Sequence, residues 1–383
     1  MKQITSMDLF FLIKEFEMLK NQRIDNFYKS DDNFYIKIYV KNKGNRFFVF
    51  KIGTCCFIDD NKDGCDSSFP ENFVLYLRKY LNNSYITDIK QVESERIIDF
   101  KIEKKENDDI CCYHLMFEMF AKGNVILCDD NYIIKNSLIK RKYKDRAIMV
   151  SDKYELPPKK DFSIFNMDYD YFMKKTCETR TEIVKFIATE FGFGGKYAEE
   201  VCIRSGIEKG IYTNNINQDI AKKLICSAIE LTKIQIKPFG VIDDNDDKLI
   251  NDFIPYLFKS FSDKKLIEFE TFNELIKAYY SQHIKAIDKK QTDYENKMKS
   301  LNVRLLKQME QLKSIEDEIE FETNKGNLIY SNYALVEDII KNINLTLKEK
   351  GSDFLKEKIK ESDKLKKIIK KLDLKEQSVN VEL

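Results

Sequence analysis

The segment Phe191-Gly192-Phe193-Gly194-Gly195-Lys196-Tyr197 sets three glycines and a lysine between two amphipathic helical patterns. The chemistry such a segment supports is anion binding. A tight glycine turn lets backbone N–H groups and the N-terminus of the next helix approach a phosphate that a Cβ would hold off. Gly192, Gly194 and Gly195 would form the turn and Lys196 would place a cation beside it, so the segment reads as a helix-hairpin-helix that contacts nucleic acid. The same glycines also suit a plain helix stop followed by a helix start. Two other phosphate loops are excluded: Tyr197 follows Gly195-Lys196 where a Walker loop needs Ser or Thr, and it stands where a dinucleotide fingerprint needs its third glycine.

Other chemistry is poorly supplied. The chain has nine cysteines and two histidines, and no Cys-x-x-Cys pair. Cys55-Cys56 and Cys111-Cys112 are neighbours within strand-like sequence, and His114 and His283 are the imidazoles on offer. A zinc site, any other metal or cofactor, and a His-dependent triad are therefore not expected, and the thiols read as reduced and mostly buried. The expected role is a binding scaffold rather than an enzyme. Lys plus Arg number 65 against 64 Asp plus Glu, so any basic face must be local. No apolar run approaches the roughly 18 residues that span a bilayer, and the patch Leu9 to Ile13 is too short for a signal-peptide core. A cytoplasmic protein with no membrane partner is expected.

The elements that must position the glycine segment follow from periodicity. Residues 4–20 form an amphipathic helix with a capping box from Thr5 to Asp8. Alternating segments at 34–40, 46–52, 96–102, 111–117 and 124–128 predict a mostly antiparallel sheet, interrupted by a helix over 71–81. Pro157-Pro158 closes this α+β domain. A helical middle domain carries the glycine turn, and a strand pair at 234–242 and 248–254 flanks the acidic turn Asp243 to Asp247, read as a solvated tip rather than a calcium loop. From Phe272 the pattern is helical. Ile284, Ile287, Gln291, Tyr294, Met298, Leu301, Leu305, Gln308, Leu312, Ile315 and Ile319 alternate spacings of three and four, which predicts a coiled coil about 50 Å long. Asn324 to Asn327 is expected to break it, with further helices over 328–347 and 352–372 and a chain reversal at Gly326, Gly351 or both.

The order of these parts resembles the NFACT family, the RqcH and NEMF type of ribosome-associated quality-control factor. The resemblance rests on Thr5-Ser6-Met7-Asp8-Leu9, Leu77 to Leu81, Gln91 to Phe100, Gly123 to Leu127, Tyr154 to Pro158 and Gly194 to Glu200, in the family's order. It implies residues 1–170 as an NFACT N-terminal domain with an Fpg/Nei-like α+β fold, 171–271 as the helix-hairpin-helix middle domain and 272–383 as a coiled-coil arm able to hold a protein partner. The family's C-terminal RNA-binding module is absent from this sequence. The implied function is to bind large ribosomal subunits that carry stalled peptidyl-tRNA, through rRNA, and to recruit charged tRNA for template-free tailing. The implied tRNA contacts fall on Asp8, Glu95 and Arg96, where Glu95 replaces the family's aspartate. Taken alone, Asp8 reads as a helix cap and Glu95-Arg96 as an ion pair at the start of a strand.

Two other function classes compete. The Fpg/Nei DNA glycosylases share the implied architecture, yet Lys2 and Gln3 stand where those enzymes carry their proline amine and glutamate. A fibronectin-binding adhesin is the other, opposed by the free thiols and the lack of a signal peptide.

Overall fold

The computed structural model describes all residues except 1, 62–70, 107–108, 144–145, 158–167, 244–248 and 375, and for 284–296 the backbone only. It contains two compact units, Met1–Ile287 and Asp288–Leu383.

In the first unit, helix α1 (Ser6–Phe16) opens with the expected capping box, Thr5 accepting from the Asp8 amide and Asp8 from the Thr5 amide. Four strands follow: β1 (Arg23–Ser30), β2 (Asn33–Val40), β3 (Gly44–Lys51) and β4 (Cys55–Asp59). Helix α2 (Asn72–Leu81) then leads into β5 (Tyr85–Gln91), β6 (Ile97–Glu106), β7 (Asp109–Glu118), β8 (Asn124–Asp129) and β9 (Ile134–Ser137). These strands form one nine-stranded sheet in the order β4-β3-β2-β1-β5-β6-β7-β8-β9. Every pairing in it is antiparallel.

Side chains alternate across the pleat, so the sheet buries both faces. On one, Phe48, Phe50 and Phe100 surround Phe117 with ring centroids 5.2 Å away, and Phe16 of α1 stands edge-on to Phe48 at 5.6 Å. On the other, Ile97, Met116, Ile126 and Cys128 pack under Ile134, Ile148 and Tyr154. This second face is closed by a short ribbon, β10 (Arg141–Lys142) and β11 (Ala147–Ile148).

The helical part contains α3 (Tyr169–Glu178), α4 (Ile183–Glu190), α5 (Gly195–Ser205) and α6 (Gln218–Lys233). The expected strand pair is present as β12 (Phe239–Ile242) and β13 (Ile250–Ile254), and β14 (Leu266–Glu268) joins the other edge of β12. The acidic turn between β12 and β13 lies, apart from Asp243, outside the described residues. One hydrophobic core runs from Ile4 and Phe11 through Phe172, Tyr197 and Phe253 to Tyr280, so the sheet-rich and helix-rich segments share it.

Helix α7 (Phe272–Ser331) passes straight through the break expected at Asn324 to Asn327. A single exposed glycine costs a helix about 1 kcal/mol, too little to end one this long. Met298, Leu301, Leu305, Leu312, Ile315 and Ile319 share the predicted seam, and all are more than 40% exposed. Among the described residues α7 is thus a lone helix with an uncovered apolar stripe. In the second unit, helix α8 (Tyr333–Glu361) leaves helical geometry at Gly351 (φ 80°), which answers where the chain turns. Leu335, Ile339 and Ile343 before the turn and Leu355, Ile359 and Leu365 after it line a small apolar cavity of about 150 Å³. The helix expected to Leu372 stops early. Helix α9 (Asp363–Ile368) gives way to a hairpin of β15 (Ile369–Asp373) and β16 (Ser378–Val381).

Candidate RNA-binding cleft

Helix α4 buries Ile183, Phe186 and Ile187, and Phe191 continues that apolar face by stacking on Phe172 at 5.4 Å. Phe191 and Phe193 are buried, so the backbone between them must turn outward at Gly192 (φ 69°) and Gly194 (φ 77°). Left-handed backbone favours glycine at both positions. At Gly194 there is a second reason, because a Cβ there would lie 2.7 Å from Cγ2 of Thr5. The missing side chain therefore serves a contact with the start of α1. Gly195 differs: it is exposed, with open space where a Cβ would be. Helix α5 starts there with no side-chain cap, which leaves its first N–H groups for water or a ligand.

The other wall is the turn between β5 and β6. Gln91 Nε2 donates to the Glu95 carbonyl at 3.0 Å and to the Ser6 carbonyl and hydroxyl at 3.0 and 2.9 Å. Ser6 in turn donates to the Ser94 carbonyl. This clamp fixes the turn against α1 and holds Glu95 and Arg96 at its rim. Arg96 Nη1 donates to Gln3 Oε1 at 2.9 Å, while its carbonyl accepts from the Met119 amide at 2.8 Å. Burial lowers the guanidinium's affinity for its proton, opposed by the charges of Glu95 and Tyr280. It stays a cation, since arginine does not deprotonate in proteins. Among the described residues no carboxylate comes within ion-pair distance of it.

These two walls enclose a cleft of about 410 Å³ lined by Gln3, Thr5, Glu95, Arg96, Phe120, Gly192 and Gly194, among others. Four residues singled out in the sequence thus meet in one place, although about a hundred positions separate the pairs Glu95-Arg96 and Gly192-Gly194. Gln3 was noted only as a departure from the glycosylase N-terminus, and Gln91 and Phe120 were not singled out. Gln91 opens a block already noted in the sequence, whereas Phe120 follows the end of β7 and has no local signature.

Asp8 and Lys196 lie elsewhere. Asp8 is fully buried and accepts from the Thr5 amide, the Thr5 hydroxyl and the Tyr197 hydroxyl, each at 2.8 Å. The Lys196 ammonium pairs with it at 2.8 Å and donates to the Phe253 carbonyl at 2.7 Å. It also sits 4.1 Å from the centre of the Phe253 ring and 3.9 Å from Asp252. Lys196 was expected to offer its charge at the glycine turn. Its stem instead runs inward, because a buried carboxylate, a carbonyl and an aromatic face together hold an ammonium better than one exposed position does. Burial first, and then the Asp8 charge, push the Tyr197 phenol well up, so it stays a hydrogen-bond donor. Lys2 and Gln3 are likewise engaged, Lys2 Nζ with Asp252 at 2.5 Å and Gln3 with Arg96.

Among the described residues no group of His, Cys, Asp and Glu is arranged to hold a metal, and no helix is long and apolar enough to cross a membrane. The N-terminal segment of a fibronectin/fibrinogen-binding protein from Streptococcus suis superposes with a TM-score of 0.59 at 17% identity, over 73% of this chain and 100% of that one, a likeness of fold. A DNA glycosylase of the Fpg type from Lactococcus lactis reaches a TM-score of 0.30, too low to support the expected Fpg/Nei likeness. The archaeal Rqc2 homologue aRqcH of Methanocaldococcus jannaschii is 28% identical over 88% of this chain and 51% of its own length. The human ribosome quality control complex subunit NEMF is 23% identical over 71% of this chain and 27% of its own. The chain therefore spans about half the archaeal relative and about a quarter of the human one. Residues 5–378 match the NFACT N-terminal and middle domains, and the chain belongs to that family.

Proposed function

We propose that this chain acts in ribosome-associated quality control: it binds large ribosomal subunits carrying stalled peptidyl-tRNA and recruits charged tRNA for template-free extension of the nascent chain. Peptidyl transfer is left to the ribosome, which fits a site built for holding rather than for bond-making. The observation that carries the reading is Arg96, a partly desolvated guanidinium at the rim of a cleft with a neutral amide as its side-chain partner. Such a group gains most when a phosphate or a base edge supplies the missing acceptor. Glu95 beside it can accept from a base amino group. Gly195 at the start of α5 presents backbone N–H groups to the adjoining phosphate, the helix-hairpin-helix role, while Asp8 and Lys196 hold the two walls together from inside. The stripe along α7 is the surface for a protein partner. The setting is cytoplasmic, as the relatives' association with ribosomes implies.

The test is sedimentation of the tagged protein with cell extract, followed by sequencing of the tRNA it carries. Wild-type protein is expected to travel with large subunits and tRNA. Arg96→Ala is expected to lose tRNA while stability falls by no more than about 1 kcal/mol, because the side chain's one partner is the neutral amide of Gln3. Unchanged tRNA occupancy in that variant would remove the cleft from the mechanism.

A further inference from the structure

Outside the cleft, the ribbon of β10 and β11 has the make-up of a second contact. Lys140, Arg141 and Lys142 are consecutive, and among the described residues none has an acidic partner within ion-pair distance. Tyr143 beside them is 36% exposed. In a chain whose acidic and basic residues nearly balance, three cations in a row without an acidic partner among the described residues are a local positive strip. A charge run of this kind is ordinarily a solvated face. Here it is joined to the cleft. The Arg146 guanidinium lies 5.5 Å from the centre of the Phe120 ring, which lines the cleft, and 5.1 Å from that of Tyr143. The Arg141 guanidinium lies 5.5 Å from Tyr143 in turn. Arg146 is itself fixed, donating to Glu118 Oε1 at 2.6 Å and to the Glu155 carbonyl at 3.1 Å, with Tyr154 donating to the same carboxylate oxygen at 2.9 Å. Rings and guanidinium planes thus alternate from the cleft wall to the strip.

We propose that this ribbon is a second RNA contact continuous with the cleft. A single RNA strand held at Arg96 runs on along the ladder, with a base against Tyr143 and phosphates over Lys140, Arg141 and Lys142. The inference rests on the reading of the cleft given above. Alternating rings and cations suit RNA because every base offers a π face and every nucleotide a phosphate, so neither contact depends on sequence.

The experiment measures anisotropy of a fluorescein-labelled single-stranded RNA against the full chain over a series of KCl concentrations. In the variant Lys140→Ala/Arg141→Ala/Lys142→Ala, the slope of log affinity against log salt should fall by about 2, since each single-strand phosphate contact contributes about 0.7. Tyr143→Leu should keep the slope and lose affinity by about fivefold or more, the size of one base stacked on an aromatic ring. Lys140, Lys142 and Tyr143 are exposed and Arg141 is half-buried, and an unchanged melting temperature confirms the fold of both variants. A triple variant with the wild-type slope and affinity would overturn the ribbon while leaving the cleft intact. If Arg96→Ala bound as wild type and the triple variant did not, the cleft reading would fall and the ribbon alone would hold RNA. No binding by wild-type protein would sink both.

Discussion

Asp8→Ala should weaken the first unit before it reveals anything about RNA. Asp8 is fully buried and takes a hydrogen bond from the Thr5 amide, the Thr5 hydroxyl and the Tyr197 hydroxyl, besides the ion pair to Lys196. Breaking a buried ion pair from one side typically costs about 3–5 kcal/mol, because the surviving charge is stranded. The stranding is partial here, since Lys196 keeps the Phe253 carbonyl and has Asp252 at 3.9 Å. The buried Tyr197 hydroxyl, however, loses its acceptor, a penalty of about 1–3 kcal/mol. About 3–4 kcal/mol in all is expected. Lys196→Met should cost less, about 1–2 kcal/mol, because the carboxylate left behind keeps its neutral donors. The double variant should recover part of the sum, giving a favourable coupling of at least about 1 kcal/mol. Urea unfolding followed by tyrosine near-ultraviolet circular dichroism suits a chain with 20 tyrosines and no tryptophan. An Asp8→Ala protein within about 0.5 kcal/mol of wild type that had lost tRNA would refute this assignment and make Asp8 a direct contact.

The two glycines at the head of α5 should part company: Gly194→Ala meets both a left-handed backbone and a Thr5 methyl at 2.7 Å, and should lose about 2–3 kcal/mol. Gly195→Ala meets open space at a helical position and should change thermal stability by less than about 1 kcal/mol in either direction. Burial lifts the Cys202 thiol from an ordinary 9.0 to about 11, so its contribution to stability is complete below about pH 9 and is lost as pH rises through 11. Cys202→Ala should therefore flatten the alkaline end of the stability profile, and an unchanged slope there would count against the burial. Leu305 and Leu312 are 55% and 58% exposed, so Leu305→Glu/Leu312→Glu should leave the melting of the first unit within about 0.5 kcal/mol of wild type; a larger loss would mean that the stripe is covered at rest.

Strands with clean alternation were legible without the structure. β2, β3, β6, β7 and β8 fall where the pattern puts them, as do α1 with its capping box and α2. β1 and β5 were not. Their burial patterns, mostly half-buried, come from sitting mid-sheet beneath helices that cover them unevenly, and no period-2 signal survives that. The misplaced break at Gly326 has the opposite cause: a strong local signal was overruled by sixty residues of helix. At the site, residue types could be read but directions could not. The glycines announce a turn because their conformational freedom is a local property. Whether the Lys196 ammonium faces a phosphate or Asp8 depends on α1, which is far away in sequence. Phe120 enters the cleft through the pairing of Met119 with Arg96, a contact that no spacing rule encodes.

The root of α7 is bolted to the N-terminal strand of chain beside the cleft. Glu15 caps it by accepting from the Phe272 and Asn273 amides, the Lys2 amide donates to the Tyr279 hydroxyl at 3.0 Å, and the Tyr280 hydroxyl donates to the Lys2 carbonyl at 2.6 Å. The next residue is Gln3, whose amide oxygen holds the Arg96 guanidinium. Torque applied at the root of this helix thus reaches the Arg96 guanidinium through two hydrogen bonds and the peptide unit between them. A load on the first turns of α7 would strain the hydrogen bond that orients Arg96.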